Sequence, residues 1–288
     1  MDGIQLDLFS WDIIEIGRAF ELLSGFDLEG AKTIFEEVLS KIPDNRLAKI
    51  GKEMVGEWEE TLQRLESLER EEAMVFLWKH IKGYPFSGEH GPGLFKRSLM
   101  ERIVMLMAGN SSLYIEPDLC VGCLLLKLGF YEKAEKALND LLETHPCHGR
   151  LLGYLGDALW MQGKKSEATE FYAKAFLLAP FEVSLEEICD MELLEIIRDE
   201  GADMAPIYGW LRGTLPLLDI EAELYQMEGS DRVSRDNKGL KSYIHLYAAE
   251  EARQKGYKDQ MLSSRGKLRR EAPEVFDVYM EYLRSLSF

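Results

Sequence analysis

The sequence predicts an all-α fold, an α-solenoid in which antiparallel helix pairs stack side by side. Three observations point to it. Apolar residues recur at helical spacing nearly from end to end, with almost no alternating β-branched stretches. Single glycines and prolines separate these segments, as they do in short helix-to-helix turns. The chain also carries an internal period of 34 residues, and a helix pair of that size obtains a core only by stacking on its neighbours.

Residues 1–10 read as an N-terminal tail. Ser10 is placed to cap a helix starting at Trp11, with Asp12 favourable in its first turn and Phe9 able to pack on Ile14. Residues 11–114 form an N-terminal helical region. Within it Ala31, Phe35 and Pro43 keep a small–aromatic–proline spacing, so 12–45 reads as a first, degenerate repeat. Trp58, Leu62, Leu65 and Leu68 then hold one face apolar over three turns. GEHGPG, from Gly88 to Gly93, reads as a loop between two helical regions. Its His90 has no identifiable nucleophile or acidic partner, so it stands as a loop residue. The most apolar run, Ile103 to Ala108, is far shorter than the ~20 residues of a membrane span.

Residues 115–182 hold the clearest pattern. From 149 to 182 the chain reads GRLLGYLGDALWMQGKKSEATEFYAKAFLLAPFE, with Leu155-Gly156, Leu159, Gly163, Ala168, Tyr172, Ala175 and Pro180 at fixed intervals. Thirty-four residues earlier stand Val121-Gly122, Leu125, Gly129, Ala134, Leu138, Leu141 and Pro146. Gly156 and Ala168 are small so that two helices can approach, and Tyr172 and Leu138 fill the space beside them. Gly129 and Gly163 suit tight turns, and Pro146 and Pro180 stop the second helix of each pair. GKKS, Gly163 to Ser166, resembles the end of a phosphate loop, but it lacks the upstream glycine and the preceding strand, and a turn accounts for it. Residues 183–288 form a C-terminal helical region. There Gly256 and Pro273 are spaced as Gly163 and Pro180 are, which marks a degenerate repeat at 242–275 with Met261 and Arg265 in place of the alanine and the aromatic.

These spacings resemble the tetratricopeptide repeat family, although Leu152 stands where that family often has tryptophan. The resemblance implies a superhelix whose concave groove is lined by the first helix of each repeat and holds a protein or peptide. It assigns Leu119, Cys123, Leu126 and Lys127 to the groove from one repeat, and Arg150, Asp157, Trp160 and Met161 from the next. Members that grip the C-terminal carboxylate of chaperones place lysine and asparagine there. This chain has Leu119, Cys123, Gly153 and Asp157 instead, so a chaperone tail is not the expected ligand. The expectation is a non-enzymatic scaffold or adaptor without a cofactor.

Two other readings stand beside it. QLDLF, with Gln5, Leu6, Leu8 and Phe9, is similar to the peptide by which bacterial replication and repair proteins dock on the sliding clamp. The resemblance implies that Gln5 hydrogen-bonds at a pocket edge while Leu6, Leu8 and Phe9 enter an apolar cleft; the alternative is a lead-in to the first helix. Cys120 and Cys123, three residues apart on one expected helix face, with His145, Cys147 and His148 in a later turn, form the one constellation of metal-ligand character. They would supply a zinc-dependent enzyme or sensor with ligands, but zinc sites usually hold such a cysteine pair in a turn, and buried structural thiols are the default.

The net charge is −17, unevenly spread: residues 231–288 carry 12 Lys+Arg against 9 Asp+Glu, and residues 1–230 carry 22 against 42. So acidic a body repels phosphate backbones, and nucleic acid is not an expected partner. Lys255, Lys258, Arg265, Lys267, Arg269 and Arg270 read as a solvated helix face or a contact for an acidic partner, and Glu71-Glu72 and Glu186-Glu187 as solvated faces. Four cysteines in 288 residues do not make a disulfide framework. With no basic-then-apolar leader visible at the start, the expected compartment is the cytoplasm.

Overall fold

Helix boundaries follow side-chain chemistry at the caps. The Asp27 carboxylate accepts from the Gly30 N–H at 2.9 Å, the Asn45 side chain from Ala48 at 3.1 Å, and Asp190 from Glu192 and Leu193 at 3.0 and 3.2 Å. Each satisfies amide groups that the first turn of a helix leaves without partners. Pro92, Pro206 and Pro273 occupy first-turn positions, where the missing N–H costs nothing. The structure, a computed structural model, describes residues 3–86, 91–108, 113–115, 118–186, 188–219 and 238–286, with side chains from Trp11 onward. Among them the architecture is all-α, with two-residue extended segments at Tyr114–Ile115 and Leu119–Cys120. No described helix is long and apolar enough to cross a membrane.

Residues 1–119 form one compact unit. It contains α1 (Gly3–Ser24), α2 (Leu28–Lys41), α3 (Arg46–Leu65), α4 (Arg70–Gly83) and α5 (Pro92–Leu106). Its core is aromatic: Phe20 and Phe35 meet edge to face with centroids 5.1 Å apart, and Trp58 meets Phe95 at 5.4 Å and Tyr84 at 5.6 Å. Gly51 has no side chain to collide with the Phe35 ring, which lies against its backbone. The Asn45 amide that begins α3 donates to Asp12 of α1 at 2.9 Å. Two expectations change here. The first helix does not begin at Trp11 behind a Ser10 cap, because the backbone is already helical from Gly3. The stripe of Trp58, Leu62 and Leu65 is buried, but α3 ends at Leu65, so Leu68 lies beyond the helix that was to carry it.

Residues 120–288 form the second unit. Its helices are α6 (Val121–Lys127), α7 (Tyr131–Leu142), α8 (Gly149–Met161), α9 (Lys165–Leu178), α10 (Met191–Glu200), α11 (Ala205–Arg212), α12 (Lys238–Gln254), α13 (Lys258–Glu271) and α14 (Pro273–Ser285). Short turns join α6 to α7, α8 to α9, and α12 to α13, and in each case the two helices pack on one another. All three turns are closed in the same way. A glycine at positive φ (Gly129 at 80°, Gly163 at 80°, Gly256 at 75°) lets two successive amides bond back to carbonyls of the helix just ended. In the first unit the same turn follows α1, but Phe26 occupies the left-handed position at φ 65°.

The 34-residue period has a packing counterpart. A Cβ on Gly122 would lie 2.5 Å from the Leu138 side chain, and one on Gly156 would lie 2.6 Å from the Tyr172 ring. Positions 122 and 156, and their partners 138 and 172, are each one period apart, so the same close approach is made twice with different filling groups.

Candidate functional site

Asp157, expected to face a groove, is 1% exposed, and its Oδ1 accepts from the Tyr172 hydroxyl at 2.6 Å. Burial, and after it the Asp157 carboxylate, pushes the Tyr172 phenol far above its ordinary range, so it remains a donor at any physiological pH. The pair joins α8 to α9 from within. Leu119, Cys123 and Leu126 are buried as well, at 1%, 0% and 8% exposure. These four residues, which the resemblance assigned to a groove, are thus buried in the described structure. Of the other positions expected to line the groove, Lys127 is exposed, Arg150 and Trp160 are half-buried, and Met161 is 45% exposed.

The cysteine pair also departs from expectation. Cys120 does not sit inside a helix with Cys123. It is the cap residue of α6 in extended backbone, and its Sγ accepts from the Cys123 N–H at 3.3 Å. Cys147 and His148 are buried at the start of α8, and the Glu182 carboxylate lies 3.4 Å from His148 Nδ1. Among the described residues no three His, Cys, Asp or Glu side chains gather as a metal cradle. Gln5, Leu6, Leu8 and Phe9 lie on helical backbone in α1, and their side chains are outside the described residues. His90 and Glu187 are outside them too.

What the second unit does offer is a pair of clefts at the turn edge of its helix hairpins. One, of about 590 Å³, is lined by Phe130, Met161, Gln162 and Lys164 among others. The other, of about 550 Å³, includes Trp160, Lys165, Met191 and Thr214. Consecutive residues at the end of α8 thus serve both clefts, Met161 one and Trp160 the other. The apolar surface is considerable: Met191 is 68% exposed, Met161 45% and Phe130 38%. The Lys165 ammonium stands 4.8 Å from the Trp160 ring centroid, within cation–π range.

A polar clamp fixes the floor of the first cleft. Glu135 of α7 accepts from Gln162 Nε2 at 2.7 Å and from Lys164 Nζ at 2.7 Å. The Lys164 hydrogen bond, with a smaller contribution from Gln162, holds the Glu135 carboxyl below its ordinary range against the opposing effect of burial. The same bond raises Lys164. Lys164 of GKKS is therefore an ion-pair partner that links the α8–α9 turn to α7 of the preceding hairpin. Sequence reasoning missed this contact, and the one available signal was a lysine following the turn glycine with a glutamate 29 residues before it.

The first unit has its own cleft of about 600 Å³ between α3 and α4, bordered by Trp58, Arg64, Phe76, His80 and Tyr84. Arg64 lies over the Phe76 ring at 5.1 Å, and burial with the neighbouring Glu57 pushes the Tyr84 phenol up to about 12.

Comparison of the chain with protein-family models, with curated proteins and with solved structures finds no match.

Proposed function

We propose that the chain is a non-enzymatic helical-repeat scaffold of the tetratricopeptide kind, working in the cytoplasm, and that it holds a segment of another protein along the turn edge of its central hairpins. The observation that carries this reading is the Trp160–Met161 pair, whose two side chains line adjoining clefts with exposed methionine and phenylalanine beside them. Large adaptable apolar groups on a polar, acidic surface are the chemistry by which peptides are anchored. The recurring approach of Gly122 to Leu138 and of Gly156 to Tyr172 supports a repeat origin for the two hairpins. The buried acids support a structural role for their own part, since Asp157 and Glu250 each accept from a buried tyrosine.

The test is site-directed photocrosslinking in lysate of the native host, with p-benzoylphenylalanine replacing Met161 in one bait and Leu262 in another. Leu262 is 53% exposed on α13 and serves as the comparison. The expected outcome is a discrete set of proteins crosslinked at 161, absent at 262 and abolished by the second-site change Phe130→Glu. The same proteins captured equally from both positions, or none from 161, would sink the reading.

A further inference from the structure

Residues 231–288 are net positive in a chain that is otherwise strongly acidic, and the fold gathers part of that charge. Arg253 near the end of α12, Arg265 in α13 and Arg284 near the end of α14 line one pocket of about 380 Å³. Arg253 is engaged already. Its Nη2 lies 2.6 Å and its Nε 2.8 Å from the Glu250 carboxylate, and the Glu250 side chain is 2% exposed. Arg265 and Arg284 have no carboxylate at ion-pair distance among the described residues. The Arg265 guanidinium lies 5.5 Å from the Tyr279 ring centroid and hydrogen-bonds the Tyr279 side chain, while its Nε is buried with no acceptor. A guanidinium with one donor buried and unpaired is only partly satisfied, and an oxyanion in the pocket would give it a further acceptor.

The rest of the lining is hydrocarbon: Met280, Leu283 and Leu286, the last 54% exposed. A ligand that satisfied only the arginines would leave those side chains in water, and one that satisfied only the side chains would leave the charge uncompensated. Small-molecule sites run from about 300 to 1,000 Å³, so this pocket is at the small end, suited to one anionic group and a short apolar stem. Guanidinium forks match the geometry of both carboxylate and phosphate oxygens.

We propose that the pocket formed by Arg253, Arg265 and Arg284 with Met280, Leu283 and Leu286 binds an oxyanion borne on a short apolar chain, a carboxylate or a phosphate monoester. It is separate in residues from the Trp160–Met161 clefts and does not depend on the scaffold reading. Isothermal titration of the full chain with four probes, octanoate, octyl phosphate, inorganic phosphate and octanol, tests it. The expected result is that octanoate or octyl phosphate binds about tenfold tighter than either inorganic phosphate or octanol, and whichever binds identifies the oxyanion. Arg284→Gln, at an exposed position, should weaken that probe by about tenfold with an unchanged circular dichroism spectrum, and Arg265→Lys should weaken it while keeping the charge. Equal binding of octanol would show an apolar patch only, and equal binding of inorganic phosphate an adventitious ion only. Either of these, no measurable binding, or an unchanged affinity in Arg284→Gln overturns the proposal.

Discussion

Single atoms decide several of the close approaches in this chain, beginning with the Cβ that Gly156 lacks. Gly156→Ala would drive a methyl group into the Tyr172 ring, which is itself fully buried and cannot withdraw. We expect a loss of about 1–3 kcal/mol, read as a lower urea midpoint. Gly266→Ala makes the opposite case. That glycine is exposed in the middle of α13 with open space around it, so a methyl group should add about 0.5–1 kcal/mol by stiffening the unfolded chain. Asp157→Ala removes the acceptor from the buried Tyr172 hydroxyl and should cost about 1–3 kcal/mol. Pairing it with Tyr172→Phe in a double-mutant cycle should return part of that loss, because the orphaned hydroxyl disappears with its partner. The sequence marked Gly156 and Tyr172 correctly through their spacing. It gave no sign that Asp157 turns inward, because an aspartate on a helix reads as solvated until its partner tyrosine, fifteen residues on, is known to fold back against it.

Helices and hairpins carry effects that no one residue has alone. The packing of α12 against α13 and of α13 against α14 encloses Glu250, whose carboxylate receives bonds from Arg253, Gln254 and Tyr279. Burial works against its charge, but these bonds outweigh it, and its pKa falls below the ordinary 4.5. A carboxyl group depressed on folding stabilises the fold above its unfolded value, and that contribution fades as pH falls through the folded one. Glu250→Gln should therefore lower the melting temperature at pH 7, and the difference from the wild type should shrink on acidification below about pH 4, measured by thermal melts across that range. The glycine turns were legible because only glycine takes their φ without strain, and Gly129, Gly163 and Gly256 all stand where the spacing put them. Phe26 in the equivalent turn was not legible, since a phenylalanine gives no turn signal. Its ring lies 6.1 Å from Phe95 and under the Arg102 guanidinium at 5.0 Å, contacts that offset a left-handed backbone. The extent of α1 and the capping role of Cys120 were hidden for a related reason: both depend on what the neighbouring chain does with its amides rather than on local composition.

Across the whole chain, charge and helix content were read directly from composition and periodicity, whereas which of the expected groove positions stay exposed was not. The resemblance pointed to the first helix of each pair, and the structure buries four of those eight positions while leaving Trp160 and Met161 at the turn edge. Periodicity identifies which residues share a face, but not whether a later segment covers that face. The net charge of −17 gives a prediction for the full molecule: no retention of duplex DNA in fluorescence anisotropy at about 50 mM salt, where a protein making phosphate contacts binds most strongly. The tight glycine turns have one more consequence, which concerns time. Each of them joins two helices that bury apolar residues against each other over a short stretch of chain, so little loop entropy is lost in closing a hairpin. Structures dominated by such near-neighbour contacts fold fast. A ribosome adds about 5–20 residues per second, far slower than a helix hairpin closes. The hairpin of α6 and α7 would then stand complete as α8 emerges, so that the growing chain offers each new helix a finished wall to settle on.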